Sequence, residues 1–312
     1  MILVTGGSGY VGSHIVKDLV AAGRPVRAMV RDADRMEKEG RFLDLDIDWI
    51  TADVTRPETL PAALDGVESI IHTVAIAIEK RGAKYETINY QGTVNVVEAA
   101  KAAGVQRFVN MCQLGADSSL PYRFLASKGK AQEYVAQSGL EWTAFRPSVI
   151  WGPEDEFANT FARLVPLTPI IFPIIGDEKT RFQPVWVEDV ASAFVKAFDD
   201  SDTIGQEFEL GGPEVLTLEE IERRTLAAIG ARRLMVRFPM PILRLAVTLM
   251  ETFLPAPPVT RSLLELLAVS NVTSNNALTK FVTNPKPFTA ENSAAYMRRF
   301  RVGQTIAQFL GG

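Results

Sequence analysis

Lys128 stands four residues after Phe124 and six after Tyr122 in the stretch YRFLASKGK. A lysine one helical turn past a phenol would be a proton-transfer pair, because general acid–base catalysis needs a titratable group within hydrogen-bond reach of the reacting atom. One turn back from this lysine is a phenylalanine, which has no proton to give. Tyr122 lies two residues before Phe124, a rotation of about 200° on a helix, and would project from another face unless the helix starts after it. Lys128 and Tyr122 are therefore the catalytic candidates. Lys128 can also work without a phenol, since its ammonium carries three donors for hydroxyl groups. The competing reading of Lys128 is a solvated helix charge.

The second chemical feature is VTGGSGYVGSHIV, residues 4–16. Its glycines at 6, 7, 9 and 12 satisfy G-x-G-x-x-G, and the loop follows an apolar strand and opens a helix, the context that gives the motif meaning. Gly6, Gly7, Ser8, Gly9, Tyr10, Val11 and Gly12 would form a dinucleotide-binding turn. Gly7 and Gly9 would let the backbone turn and approach a pyrophosphate, and Gly12 would let the helix pack tightly on the strand. The helix N-terminus adds amide donors and the positive dipole end. Arg31 follows the second strand in VRAMVRDADR. A guanidinium there suits a 2′-phosphate, so NADP(H) is favoured over NAD(H), with Asp32 keeping the NAD(H) alternative open. Asp53, with Val54 beside it, follows the third strand, where a carboxylate can accept from an adenine amine or cap a turn. Thr73, Val74 and Ala75 leave the fourth strand where the backbone passes the cofactor, and Pro147 ends the sixth. His72 reads as structural.

These residues need a scaffold, and the pattern supplies one. Short apolar β-rich runs at 2–4, 26–30, 48–51, 69–73, 107–111 and 142–146 alternate with helical patterns at 10–22, 58–64, 86–103 and 124–138. Strands this apolar, separated by helices, predict a parallel sheet covered on both faces, a doubly wound α/β (Rossmann) fold. Gly23 is placed to cap the first helix. After Pro147 the rhythm becomes irregular. Residues 186–198 and 217–229 predict helices, the latter with a Thr217/Glu220 capping box. Residues 206–210 predict a strand, and 240–270 read as helical and apolar, interrupted near 255–258. The expected division is a dinucleotide domain over 1–150 and a smaller, mainly helical lobe over 151–312, with strands able to cross back.

The chain has 312 residues, a net charge of −4 and one cysteine, Cys112. That charge gives no reason to expect nucleic acid as a partner. A lone cysteine and two distant histidines offer no metal-ligand spacing. The opening MILVTGG already reads as strand and turn, and no uncharged run reaches the ~18 residues of a membrane span, so a cytoplasmic protein is expected. Residues 164–175 and 241–255 are apolar enough to be core, to line a cleft, or to touch a protein partner or the membrane periphery.

TGGSGYVG, MVRD, ADV at 52–54, ETINYQGTVNVVEAAKAAGV, FRPSVIWGPED and PVWVEDVASAF together resemble the extended and atypical short-chain dehydrogenase/reductase family. Within it, VNMCQLGAD, PVTRSLLELLAVSNV and KPFTAENSAAYM are similar to the nucleotide-binding accessory subunit of respiratory complex I and its bacterial relatives. The resemblance implies a Tyr-x-x-x-Lys pair with an upstream serine: the tyrosine exchanges a proton, the lysine holds the nicotinamide ribose, and the serine orients the substrate. At those positions this chain has Phe124, Lys128 and Cys112, and Pro147 with Ser148 matches the family segment that borders the nicotinamide. The expectation is an NAD(P)H-binding protein without the usual proton donor, holding its dinucleotide in a structural or sensing role. The alternatives are an active NADP(H)-dependent oxidoreductase acting on a carbonyl, quinone or activated alkene through Tyr122, Tyr85 or substrate-assisted protonation, and a sugar-nucleotide epimerase/dehydratase-like enzyme.

Overall fold

The computed structural model describes residues 1–298 except 40, 41, 43, 80, 81, 176, 177, 255, 256 and 258. The strands are β1 (Ile2–Thr5), β2 (Val26–Val30), β3 (Asp48–Thr51), β4 (Ser69–His72), β5 (Arg107–Met111), β6 (Glu141–Pro147), β7 (Ile150–Trp151), β8 (Ile171–Ile174), β9 (Arg181–Phe182), β10 (Val185–Trp186), β11 (Gln206–Leu210), β12 (Leu216–Thr217) and β13 (Leu234–Arg237). The α-helices are α1 (Tyr10–Ala21), α2 (Ala33–Glu39), α3 (Leu60–Ala63), α4 (Gly92–Ala102), α5 (Arg123–Ala136), α6 (Ala158–Leu164), α7 (Val187–Phe198), α8 (Leu218–Ile229), α9 (Met240–Phe253), α10 (Arg261–Leu267), α11 (Leu278–Phe281) and α12 (Ala290–Met297). The chain forms two compact units. One comprises Met1–Pro147, Val187–Leu210 and Asn275–Asn284, and the other the remainder.

In the first unit seven strands form one sheet in the order β11-β6-β5-β4-β1-β2-β3. Every neighbouring pair is parallel. β1 and β4 are buried at every residue, which is why their sequences run apolar rather than alternating. Leu3, Met29, Ile70 and Phe108, from four adjacent strands, pack with Val96, Val97 and Ala100 of α4. Each of these side chains larger than alanine contributes roughly 1.5–3 kcal/mol by leaving water. Gly23 takes φ 70°, and the amides of Gly23 and Arg24 return to the carbonyls of Val20 and Leu19. That is the left-handed cap expected of it.

Two predicted helices differ from the observed ones, and one predicted strand of the second half crosses back, as the expected division allows. Residues 206–210, expected with the irregular second half, return as β11 and extend the main sheet beside β6, pairing Phe208 with Phe145. QEFEL is half-exposed there, because an edge strand with one covered face carries alternating polar residues. The helix expected over 86–103 opens with a π-helical turn, Glu86–Gln91, before α4. The helical run expected over 240–270 divides into α9 and α10.

The second unit holds three two-stranded sheets, β10-β7, β12-β9 and β13-β8. Its interior centres on Trp151, whose ring lies 4.4 Å from that of Trp186 and 5.2 Å from that of Phe288. Thr217 and Glu220 form the predicted capping box at the start of α8. One turn on, Glu222 is fully buried, and its carboxyl accepts from the Ile175 amide at 3.0 Å. Burial raises its pKa from 4.5 to about 8. The folded chain therefore keeps a proton that the unfolded chain releases above about pH 4.5, so this group costs stability as pH rises through that window. The full cost is on the order of 5 kcal/mol. Glu222→Gln keeps an acceptor for Ile175 and cannot ionise. Its stability relative to the parent chain is expected to rise steadily between pH 5 and about 8.5, as read by urea unfolding; a pH-independent difference would show that Glu222 is not held neutral.

Candidate dinucleotide site

Chain order reverses between β1 and β4, which makes the crevice at the carboxyl ends of these strands the switch point where open α/β sheets take ligands. The glycine loop emerges there, between β1 and α1. Gly6 carries the turn, with φ 72°, and the Gly6 and Gly7 amides both donate to the Met29 carbonyl on β2. Gly7, expected to turn, is instead pressed on β2: a Cβ there would stand 2.8 Å from the Cβ of Ala28. Gly12 is required by close approach, since a Cβ there would lie 2.2 Å from the Gly6 carbonyl oxygen. Gly9 is the N-cap and is exposed, and a Cβ on it would meet only the Gly6 oxygen at 3.1 Å. Ser8 is half-buried beside it, Val11 is buried on the helix, and the Tyr10 ring stands edge-on to His14. The first turn of α1 contains no carboxylate, so the positive end of the helix dipole meets no acidic side chain of its own first turn.

The end of β4 lies against this loop. Thr73 Oγ1 would touch a Cβ on either Gly6 or Gly12 at 3.0 Å, and Val74 lies beside Gly6. Ala75 follows, exposed. A hydrogen-bond chain sets this segment. Thr73 donates through Oγ1 to the Thr5 carbonyl at 2.7 Å. The Thr93 hydroxyl donates to the Asn89 carbonyl at 2.7 Å, so the His72 Nε2 contact at 3.0 Å must be an N–H donating to Thr93. His72 Nδ1 then accepts from the Thr5 hydroxyl at 2.8 Å. Burial, reinforced by the charge of Lys128, lowers the His72 pKa to about 3 and keeps the ring neutral. Asn89, in the π turn, pins the exit of β4 by accepting from the Ile76 amide and donating to the Ile76 carbonyl and to Ser127. Thr5, Asn89 and Thr93 are absent from the residues expected here. Their signal is legible in hindsight: Asn89 and Thr93 are four apart and head the buried stripe that continues through Val96, Val97 and Ala100.

α5 supplies the lysine. Lys128 is buried, not solvated, and its Nζ donates to the Met111 carbonyl at the end of β5 at 2.5 Å. Burial pushes its pKa below the ordinary lysine value. Cys112 is buried beside it, with Sγ 3.7 Å from the Lys128 carbonyl, and burial raises the thiol pKa. Phe124 packs edge-on against Tyr85 at 5.7 Å, and the Tyr85 hydroxyl donates to the Ala77 carbonyl. α5 begins at Arg123, so Tyr122 is its N-cap in extended conformation, which is the condition that frees it from the opposite helix face. Its hydroxyl has no hydrogen-bond partner among the described residues.

The remaining positions divide. Arg31 is exposed at the end of β2. Asp32 accepts from the Arg35 amide at 3.0 Å and so caps α2. Asp53 lies after β3, where its Oδ1 accepts from both the amide and the hydroxyl of Thr55 in a local turn. The Val54 side chain is buried under Gly92 in the core, leaving only its backbone near the strand end. The Pro147 carbonyl accepts from the Leu114 amide and from Gln113 Nε2.

A doubly wound parallel sheet with a glycine loop at its switch point and a buried lysine at the next strand ends defines a nicotinamide-dinucleotide-binding protein of the extended, atypical short-chain dehydrogenase/reductase class. Residues 6–201 match the NAD(P)H-binding family model, and the chain belongs to that family. It is 30% identical over 244 residues to the Arabidopsis thaliana mitochondrial NADH dehydrogenase (ubiquinone) 1 alpha subcomplex subunit 9, covering 77% of this chain and 60% of that protein, less than two thirds of its length. It is 29% identical over 315 residues to the 3 beta-hydroxysteroid dehydrogenase/Delta 5→4-isomerase of Mycobacterium tuberculosis, covering 88% of this chain and 82% of the other. The Thermus thermophilus UDP-glucose 4-epimerase structure, solved with NAD, shares the fold at 21% identity and a TM-score of 0.70, covering 96% of this chain and 99% of that one.

Proposed function

We propose that this chain holds NADP(H) as a structural or sensing ligand and does not carry out tyrosine-dependent reduction. The observation that carries this reading is the pairing of an intact phosphate loop with Phe124 one turn before Lys128. Lys128 retains two donors beyond its bond to Met111, enough for ribose hydroxyls. A ligand that binds only the folded chain stabilises it by about 2.7 kcal/mol at a hundredfold excess over Kd, so a dinucleotide can serve structure without turning over. Likeness to a named subunit of a larger dehydrogenase supports a role exercised through protein contacts. The test is to release whatever the purified protein carries and identify it by mass. Stoichiometric NADP(H) is expected; rapid NADPH oxidation with a carbonyl or quinone, abolished by Lys128→Ala, would overturn the reading.

The NADP(H) preference rests on Arg31, exposed at the strand end while the neighbouring Asp32 carboxylate is committed to capping α2. Charge-assisted hydrogen bonds are worth ~1.5–3 kcal/mol. Arg31→Ala is therefore expected to weaken NADPH binding about 10- to 100-fold and leave NADH binding unchanged, measured by calorimetry. Equal losses for both nucleotides would remove the 2′-phosphate assignment.

One observation favours a second reading, an active oxidoreductase that uses Tyr122. The helix starts after that residue, and its hydroxyl has no hydrogen-bond partner among the described residues. Hydride transfer is the cofactor's own chemistry and needs orientation first. Turnover that survives Tyr122→Phe unchanged would remove Tyr122 as its proton source.

A further inference from the structure

We infer that α9 docks the second unit onto an anionic phospholipid surface. All ten exposed large apolar side chains among the described residues lie in the second unit, and four of them share one stripe of α9. Ile242, Leu245, Leu249 and Phe253 are 54%, 62%, 49% and 76% exposed. At about 100° per residue these positions fall within an arc of about 80°. Val247 is buried and Leu243, Met250 and Leu254 are half-buried on the adjoining arc, which faces the rest of the unit. The helix thus carries an apolar face about twice as wide as its own packing uses. Arg244, Thr248, Glu251 and Thr252 occupy the third side.

Charge selects the occupant. Residues 223–261 contain seven arginines and one acid, Glu251, in a chain whose net charge is −4. Glu251 is itself paired with Arg261. Arg232, Arg233 and Arg244 have no carboxylate partner among the described residues. An exposed apolar stripe within an arginine-rich segment is the pattern of a helix lying in a lipid interface, with apolar side chains among the acyl chains and guanidinium groups at anionic headgroups. A two-fold contact with a second copy would set this cationic segment against itself. At 14 residues the helix is about 21 Å long, too short to cross a ~30 Å hydrocarbon core, and no helix among the described residues is long and apolar enough to do so.

The test is flotation of the full chain with phosphatidylcholine vesicles containing about one-third phosphatidylglycerol, beside vesicles of phosphatidylcholine alone, at about 0.1 M and about 0.5 M salt. Binding is expected only to the anionic vesicles and only at the lower salt. Leu245→Glu with Leu249→Glu should abolish it while leaving the melting temperature and NADPH binding at parental values. Arg232→Gln with Arg244→Gln, which leaves the stripe intact, should weaken partitioning on the order of 20-fold, at roughly fivefold per arginine. Absence of flotation at low salt, or equal flotation with neutral vesicles, would overturn the inference. So would a lipid-free dimer in sedimentation velocity that the leucine substitutions disperse. If the leucine variants fail to fold, the arginine pair still decides the matter.

Discussion

Replacing Gly12 by alanine is expected to abolish dinucleotide binding and to destabilise the chain by about 1–3 kcal/mol. The added methyl would fall 2.2 Å from the Gly6 oxygen, 2.9 Å from the Gly6 carbonyl carbon and 3.0 Å from Thr73 Oγ1. Two of these atoms are backbone, so no rotamer change relieves the overlap; the turn itself must shift. The Gly6 carbonyl also accepts from the Gly9 amide, and the Gly9 carbonyl from Ser13. Displacing Gly6 therefore disturbs the first turn of α1, whose amides would meet the pyrophosphate. Loss of two charge-assisted hydrogen bonds corresponds to roughly a 100-fold or greater loss of affinity. Gly9→Ala is the informative companion, because its methyl meets only the Gly6 oxygen, at 3.1 Å, on an exposed residue. It should leave the melting curve nearly unchanged and still weaken NADPH binding, since the methyl occupies space a phosphate would need. Calorimetry and urea unfolding on the two variants separate the tight packing at Gly12 from the ligand contact at Gly9. Wild-type affinity in Gly12→Ala would mean that the loop does not hold the dinucleotide.

How much of this was legible in the sequence depends on the range over which each feature is decided. The glycine loop, the first six strands and the caps at Gly23 and Thr217 are set by residues within a few positions of one another, and the pattern places them. The roles of individual glycines are not local. Gly7 is constrained by Ala28, which arrives only when β1 and β2 pair. β11 is decided at longer range still, because its half-polar sequence gains a place in the sheet only when Phe208 meets Phe145, more than sixty residues earlier. The Thr5–His72–Thr93–Asn89 chain was hidden for a related reason. A polar residue in a helical pattern reads as solvent-facing until the sheet covers it. Phe124 is the reverse case: its identity is plain from the chain, and only the fold shows that its ring rests on Tyr85 beside a buried lysine.

That contact makes Phe124→Tyr the most discriminating substitution at the site. Phe124 is half-exposed, so the added hydroxyl need not lose its water and little stability should change. It would restore a titratable group one turn before Lys128. An ammonium nearby favours the ionised form of a phenol, drawing its pKa down from about 10 toward the working range of a proton donor. General acid catalysis of this kind is worth about 10²- to 10⁴-fold. If the dinucleotide is already bound in a competent geometry, the variant should therefore gain NADPH-dependent carbonyl or quinone reduction by about that factor. Lys128→Ala introduced on top should remove the gain, and the new activity should fall away above the lowered phenol pKa. A parent chain without turnover and a variant with it would locate the missing chemistry at a single oxygen atom. Fast turnover in the parent chain, unmoved by Phe124→Tyr and sensitive to Tyr122→Phe, would instead give the proton to Tyr122. Tight NADPH binding with no turnover in either protein would show that the departure from ordinary reductases extends beyond residue 124. Hydride acceptor and nicotinamide would then not meet, and the dinucleotide would act by stabilising the fold that presents the rest of the surface.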